Sequence, residues 1–121
     1  MPKTILVVDD SQSIREAVSY TLQMEGYQVI KAESGKDALE NIDGKQVDLV
    51  ITDLHMPLMN GIELTKEIRK LSDFSRIPIL LLTTESQVSK KLEAKLAGAT
   101  GWIIKPFVAD KLISVVKRVL R

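Results

Sequence analysis

The run Ile5-Leu6-Val7-Val8-Asp9-Asp10 decides the architecture. Four apolar residues without alternation fit a parallel strand covered on both faces, and two aspartates end it abruptly. Further apolar runs follow at Val29 to Ala32, Leu49 to Thr52, Ile79 to Thr83 and Gly101 to Ile104. Helix-period segments separate them, so the chain reads as five βα units. The third and fourth runs are also continuously apolar, which places helices on both sides of the sheet. Five units are too few for an eight-unit barrel, and right-handed crossovers favour an open, doubly wound α/β sheet. Its ligand site belongs at the carboxyl ends of the strands, near the reversal in strand order.

The first helix follows from Ile14, Ala17, Val18, Thr21 and Leu22, spaced as one buried stripe. Ser13 with Glu16 fits a capping box, Ser11 is the alternative cap, and Gly26 stands where a left-handed residue is wanted. Ser34 and Asp37 start the second helix, which buries Ala38, Leu39 and Ile42 and ends near Gly44. Asn60 starts the third, which buries Leu64, Ile68 and Leu71. The fourth places Val88, Leu92 and Leu96 on one face and stops at Gly98. The fifth runs from about Val108 to Leu120, with apolar positions too numerous for one narrow stripe, so part of that face suits a partner.

Composition narrows the function. The 121 residues suit one domain over positions 1–121, with no linker and no room for an output module. A formal charge of +1 argues against nucleic-acid binding. Apolar residues at 45% and charged residues at 27% exclude disorder. With no Cys and one His, any metal must sit on oxygen ligands. No segment approaches the ~20 apolar residues of a membrane span, and the N-terminal run is too short for a signal peptide, so a cytoplasmic protein is expected.

Five chemically active residues follow the strands: Asp9 and Asp10 after the first, Asp53 after the third, Thr83 closing the fourth and Lys105 after the fifth. All are expected on one edge of the sheet. Carboxylates ~5 Å apart repel by roughly 3 kcal/mol per pair at an effective dielectric of ~20, so the cluster calls for a cation. Oxygen ligands alone select Mg²⁺, with Mn²⁺ possible, and Mg²⁺ held by few carboxylates keeps waters that a phosphate oxygen can replace. A carboxylate can attack phosphorus and form an aspartyl-phosphate, while an ammonium and a hydroxyl offset charge on the phosphoryl oxygens.

VVDD at 7–10, DLHMPLMNG at 53–61, LLTTE at 81–85 and GATGWIIKPF at 98–107 together resemble the receiver domains of two-component response regulators, specifically the stand-alone chemotaxis (CheY-like) type. The resemblance covers the whole chain and implies a flavodoxin-like (βα)5 fold with strand order 2-1-3-4-5, an order the single-domain chemotaxis regulator exemplifies. It implies that Asp53 accepts a phosphoryl group from a sensor histidine kinase and later loses it to water. Asp10 and Asp53 would bind the metal directly, Asp9 partly through water, and the His55 backbone carbonyl would complete the set. Thr83 would hydrogen-bond the phosphoryl group, Lys105 would pair with it, and Pro106 would follow a cis peptide bond. Trp102 takes the switch-aromatic position in place of the usual Tyr or Phe. His55 and Glu85, each two residues past a site residue, would tune water access and so dephosphorylation.

Charge is unevenly spread. Residues 84–121 carry a balance of +5 and residues 1–83 a balance of −4. Lys90, Lys91, Lys95, Lys111 and Lys117, with the wide apolar face of the fifth helix, suit an acidic amphipathic segment of a target protein. Two rival readings differ in class. A Mg²⁺-dependent phosphohydrolase with an aspartate nucleophile would normally carry an acid at position 55, and a flavin-binding domain would need a phosphate cradle after the first strand.

Overall fold

The computed structural model describes residues 2–120. Five parallel strands, β1 (Thr4–Val8), β2 (Gln28–Ala32), β3 (Leu49–Thr52), β4 (Ile79–Thr83) and β5 (Gly101–Ile104), form one sheet in the order β2-β1-β3-β4-β5. Helices α1 (Gln12–Met24), α2 (Gly35–Ile42), α3 (Gly61–Arg69), α4 (Val88–Ala97) and α5 (Ala109–Val119) connect or follow them. The expected α/β architecture and strand order are those observed.

The alternating faces of the strands feed two cores. Ile5, Val7, Ile51 and Leu82 pack with α1 and α5 on one side. Leu6, Val8, Val50 and Ile79 pack with α2 and α3 on the other, where Leu81 also meets Ala94 of α4. Register aligns the strand ends, with Val8 opposite Thr52, and Thr83 opposite Ile104. The residues that follow β1, β3 and β5 are thereby brought to one edge of the sheet.

Several local expectations are corrected. The cap of α1 is Ser11, whose hydroxyl accepts from the Ile14 amide, and no Ser13–Glu16 capping box forms. Ser11 wins because its own amide donates to Asp9 Oδ1 at 2.9 Å, which fixes the turn into the helix. In α1, Val18 and Leu22 are buried, but Ala17 is exposed and Ser19 takes its place inside. Leu71 lies beyond α3, which stops at Arg69, and it is exposed because a short 3₁₀ turn, Ser72–Phe74, buries Phe74 instead. Val88, Leu92 and Leu96 do share one face of α4, yet that face looks outward and only Ala94 is buried. Val108 and Leu120 cap α5, and its buried residues are Leu112 and Val116.

Arg69 closes the corner between α3 and β4. Its guanidinium donates to the carbonyls of Gly98, Phe74 and Ile77 at 2.6–3.1 Å. Burial lowers its pKa, and these carbonyls supply the acceptors that its position denies it from water.

Candidate phosphoryl site

The sheet edge gathers the residues singled out above. Carboxylate oxygens of Asp9, Asp10 and Asp53 lie within 4.8 Å of one another. Lys105 reaches over from the end of β5 and places Nζ 2.9 Å from Asp9 Oδ2 and 3.4 Å from Asp53 Oδ2. The Lys105–Pro106 peptide bond is cis.

Each acid has a distinct setting. Asp9 is buried, with Oδ1 accepting from the Ser11 amide and Oδ2 from Lys105, while its carbonyl accepts from Arg15 Nη1 at 2.7 Å. Asp53 is half-buried, and its Oδ1 accepts from the Leu54 amide at 2.8 Å. Asp10 is exposed, with no hydrogen bond or ion pair among the described residues.

Three carboxylates against one ammonium leave two negative charges on an all-oxygen donor set. That is the charge and hardness a Mg²⁺-type ion matches, so the residues present fit such a metal. Asp53 alone combines a place in the acid cluster, a lysine contact and partial access to solvent.

The loop behind Asp53 is tightly built. Gly61 donates its amide to Leu54 O at 2.8 Å, and a Cβ on it would fall within 2.3 Å of the Asp53 carbonyl oxygen. Only glycine permits that approach. Asn60 and Glu63 form a reciprocal capping box, which fixes the start of α3 beneath the loop.

Thr83 is fully buried, and its hydroxyl accepts from the Glu85 amide at 3.2 Å. The hydroxyl proton has no acceptor among the described residues, so it is free to donate. Two residues on, Glu85 meets His55 across the mouth of the site at 3.0 Å. The Gln87 amide, and then His55, hold the Glu85 carboxyl below its ordinary pKa against a smaller opposing effect of burial. Trp102 is half-buried against Leu54, Ile62, Leu81 and Ala94, and its indole N–H donates to Glu85 O at 2.9 Å.

Sequence reasoning missed Arg15, whose signal is an Arg one turn into the helix that follows the paired acids. It also missed the Leu54 amide, which no side-chain pattern reveals. The lysines of the basic side lie apart from this site. Lys91, Lys95 and Lys111 are exposed, Lys90 pairs with Glu93 and Lys117 with Glu25.

The sequence matches the response regulator receiver domain family over residues 5–117. The chain belongs to that family. Among solved structures, the receiver is similar to the chemotaxis response regulator CheY4 of Vibrio cholerae, with 45% identity and a TM-score of 0.96 over 99% of this chain and 100% of that one. It is 41% identical to chemotaxis protein CheY1 of Helicobacter pylori over 110 residues, 89% of each chain. It is also 36% identical to response regulator MprA of Mycolicibacterium vanbaalenii over all 121 residues, and spans 52% of that protein's length. The receiver is thus a CheY-like domain of two-component signalling, whose relatives carry differing names and lengths. Among the described residues no helix is long and apolar enough to cross a membrane.

Proposed function

We propose that residues 1–121 act as a phosphorylation switch in the cytoplasm, phosphorylated on Asp53 by a sensor histidine kinase. The observation that carries this reading is the setting of Asp53, an acid within 4.8 Å of two others and 3.4 Å from Lys105. In the transfer step an Asp53 oxygen attacks phosphorus, the P–O bond forms and the P–N bond to the donor histidine breaks. Lys105 offsets charge on the phosphoryl oxygens, and Thr83 donates its free hydroxyl proton to another of them. Bound through Asp10, Asp53 and the His55 carbonyl, with Asp9 acting partly through water, Mg²⁺ would supply further charge neutralisation. Water later attacks phosphorus, releasing inorganic phosphate and restoring the carboxylate. His55 and Glu85, joined across the mouth, govern how freely that water enters. The domain is therefore an autocatalytic acceptor and not a turnover enzyme.

Drawing Thr83 toward the phosphoryl group breaks its bond with the Glu85 amide. Because Glu85 O also holds the Trp102 indole, the same motion shifts the β4–α4 loop and the aromatic together. The surface of α4, β5 and α5 then changes, and its lysines Lys90, Lys91, Lys95, Lys111 and Lys117 receive an acidic amphipathic segment of a target protein. Control of motility by chemotaxis is the pathway favoured by the likeness to CheY4 and CheY1. The test is Asp53→Asn with radioactive acetyl phosphate and Mg²⁺. The wild type takes up acid- and base-labile label and the variant takes up none; label retained by the variant refutes Asp53 as the acceptor.

A further inference from the structure

The layer of helices α2, α3 and α4 carries two features that the phosphoryl chemistry does not use. One is a cleft of about 880 Å³ between α2, the α2–β3 loop, α3 and the 3₁₀ turn. Leu39, Met59, Leu71 and Phe74 contribute apolar lining, and Leu71 is exposed there at 40% although its spacing marks it for burial. Around it stand Glu40, Asp43, Glu67 and Asp73, against Lys36 and Lys45; Glu67 is already paired with Lys70. The α2 terminus adds to this negative side, since its last turn has no basic residue and its C-cap is itself an aspartate.

The second feature is the outward face of α4. Val88, Leu92 and Leu96 are 80%, 56% and 79% exposed at i, i+4 and i+8, an apolar ridge of about 12 Å by helical rise. Lys91 and Lys95 run beside it, without an ion-pair partner among the described residues. The cleft is concave, apolar and acid-rimmed, and the ridge is convex, apolar and basic. The two complement each other in shape and in sign.

They cannot meet within one chain, because α3 lies between them on the same face of the sheet. Between two chains they can. Since cleft and ridge share one layer, a twofold axis near α3 lets each copy insert its ridge into the other's cleft, closing a dimer through two equivalent contacts. We propose that the α2–α3 cleft is a docking site for α4 of a second copy of this chain, and that the receiver forms this reciprocal dimer. The ridge belongs to the surface assigned above to the target, so dimer and target compete for it. The cleft also includes Met59, six residues past Asp53 and packed against Gly35, so its occupancy bears on the loop of the acceptor.

Sedimentation velocity over a concentration series of the full chain tests this. Leu92→Glu on the ridge and Leu71→Glu in the cleft each abolish dimerisation, at sites exposed enough to leave the fold intact. Mixing the two variants restores association, because one of the two contacts in the mixed pair is wild type on both sides. Lys91→Glu with Lys95→Glu weakens the dimer by at least about tenfold, and Glu40→Lys with Asp43→Lys in the opposing copy recovers it. Leu96→Glu and Glu40→Lys serve as second variants wherever circular dichroism shows a first one misfolded. A wild type that stays monomeric throughout overturns the proposal. So does a Leu71→Glu variant that dimerises as the wild type does, which would mean ridge pairing with ridge. Phosphorylation of Asp53 is not needed for any of these outcomes, so they stand or fall apart from the assignment of the acceptor.

Discussion

Helices α3 and α4 are neighbours of similar length, yet they are held in opposite ways. α3 starts with a reciprocal capping box and buries Ile62, Leu64, Thr65 and Ile68. α4 starts without any side-chain cap and buries only Ala94. Asp53 sits on the loop leading into the first, and Thr83 ends the strand that leads into the second. The acid cluster thus lies between one firmly held helix and one loosely held helix. Under the proposed function, this difference places the chemistry on α3's side and the signalling on α4's side.

The largest expected contrast is in stability. In dilute, monomeric protein, Ile68→Ala, at a fully buried site of α3, should cost about 2–5 kcal/mol in urea denaturation, while Leu92→Ala on α4 should stay within about 0.5 kcal/mol. Equal costs would break the comparison. Next is Gly61→Ala, which forces the Asp53 carbonyl to move and should cost roughly 1–3 kcal/mol while slowing uptake of label from acetyl phosphate. Unchanged labelling would show that α3 does not set the acceptor's position. Asn60→Ala should then cost about 1 kcal/mol through loss of the cap, against less than half of that for Gln87→Ala at the start of α4.

The smallest effect concerns pH. Glu85 has a folded pKa held below the ordinary value of 4.5, so its contribution is complete above 4.5 and is lost as pH falls through the lower folded value. The melting temperature of Glu85→Gln should therefore lie slightly below that of the wild type at neutral pH, and the gap should close in acid below about 4.5. A gap that widens in acid would mean that Glu85 does not moor the α4 loop.

The sheet and the acid cluster are legible because continuous apolar runs name buried parallel strands, and four of the five runs stop at a residue with chemistry. Direction was less legible than period. Val88, Leu92 and Leu96 repeat as a core stripe does, but spacing says only that they share a face; the close approach at Ala94 decides that the opposite face is the inner one. Ser11 and Ser13 are equal candidates by type, and the bond from Ser11 to Asp9 separates them. The His55–Glu85 and Lys105–Asp9 pairs join residues 30 and 96 positions apart, beyond the reach of any local pattern. Leu71 misled because it continues the α3 period past the helix end, where the chain turns to bury Phe74.

Arg69 gives this asymmetry a pivot. Two of its nitrogens grip the Gly98 carbonyl at the far end of α4, and a third reaches the carbonyls of Phe74 and Ile77 in the α3–β4 connection. The rod of α4 is thus pinned at its trailing tip, while its leading tip hangs from Glu85. Under the proposed switch, a tug on Thr83 would swing it about Gly98, with travel growing along the rod toward Val88. On that proposal, the fulcrum is set by a residue that touches no group of the phosphoryl site.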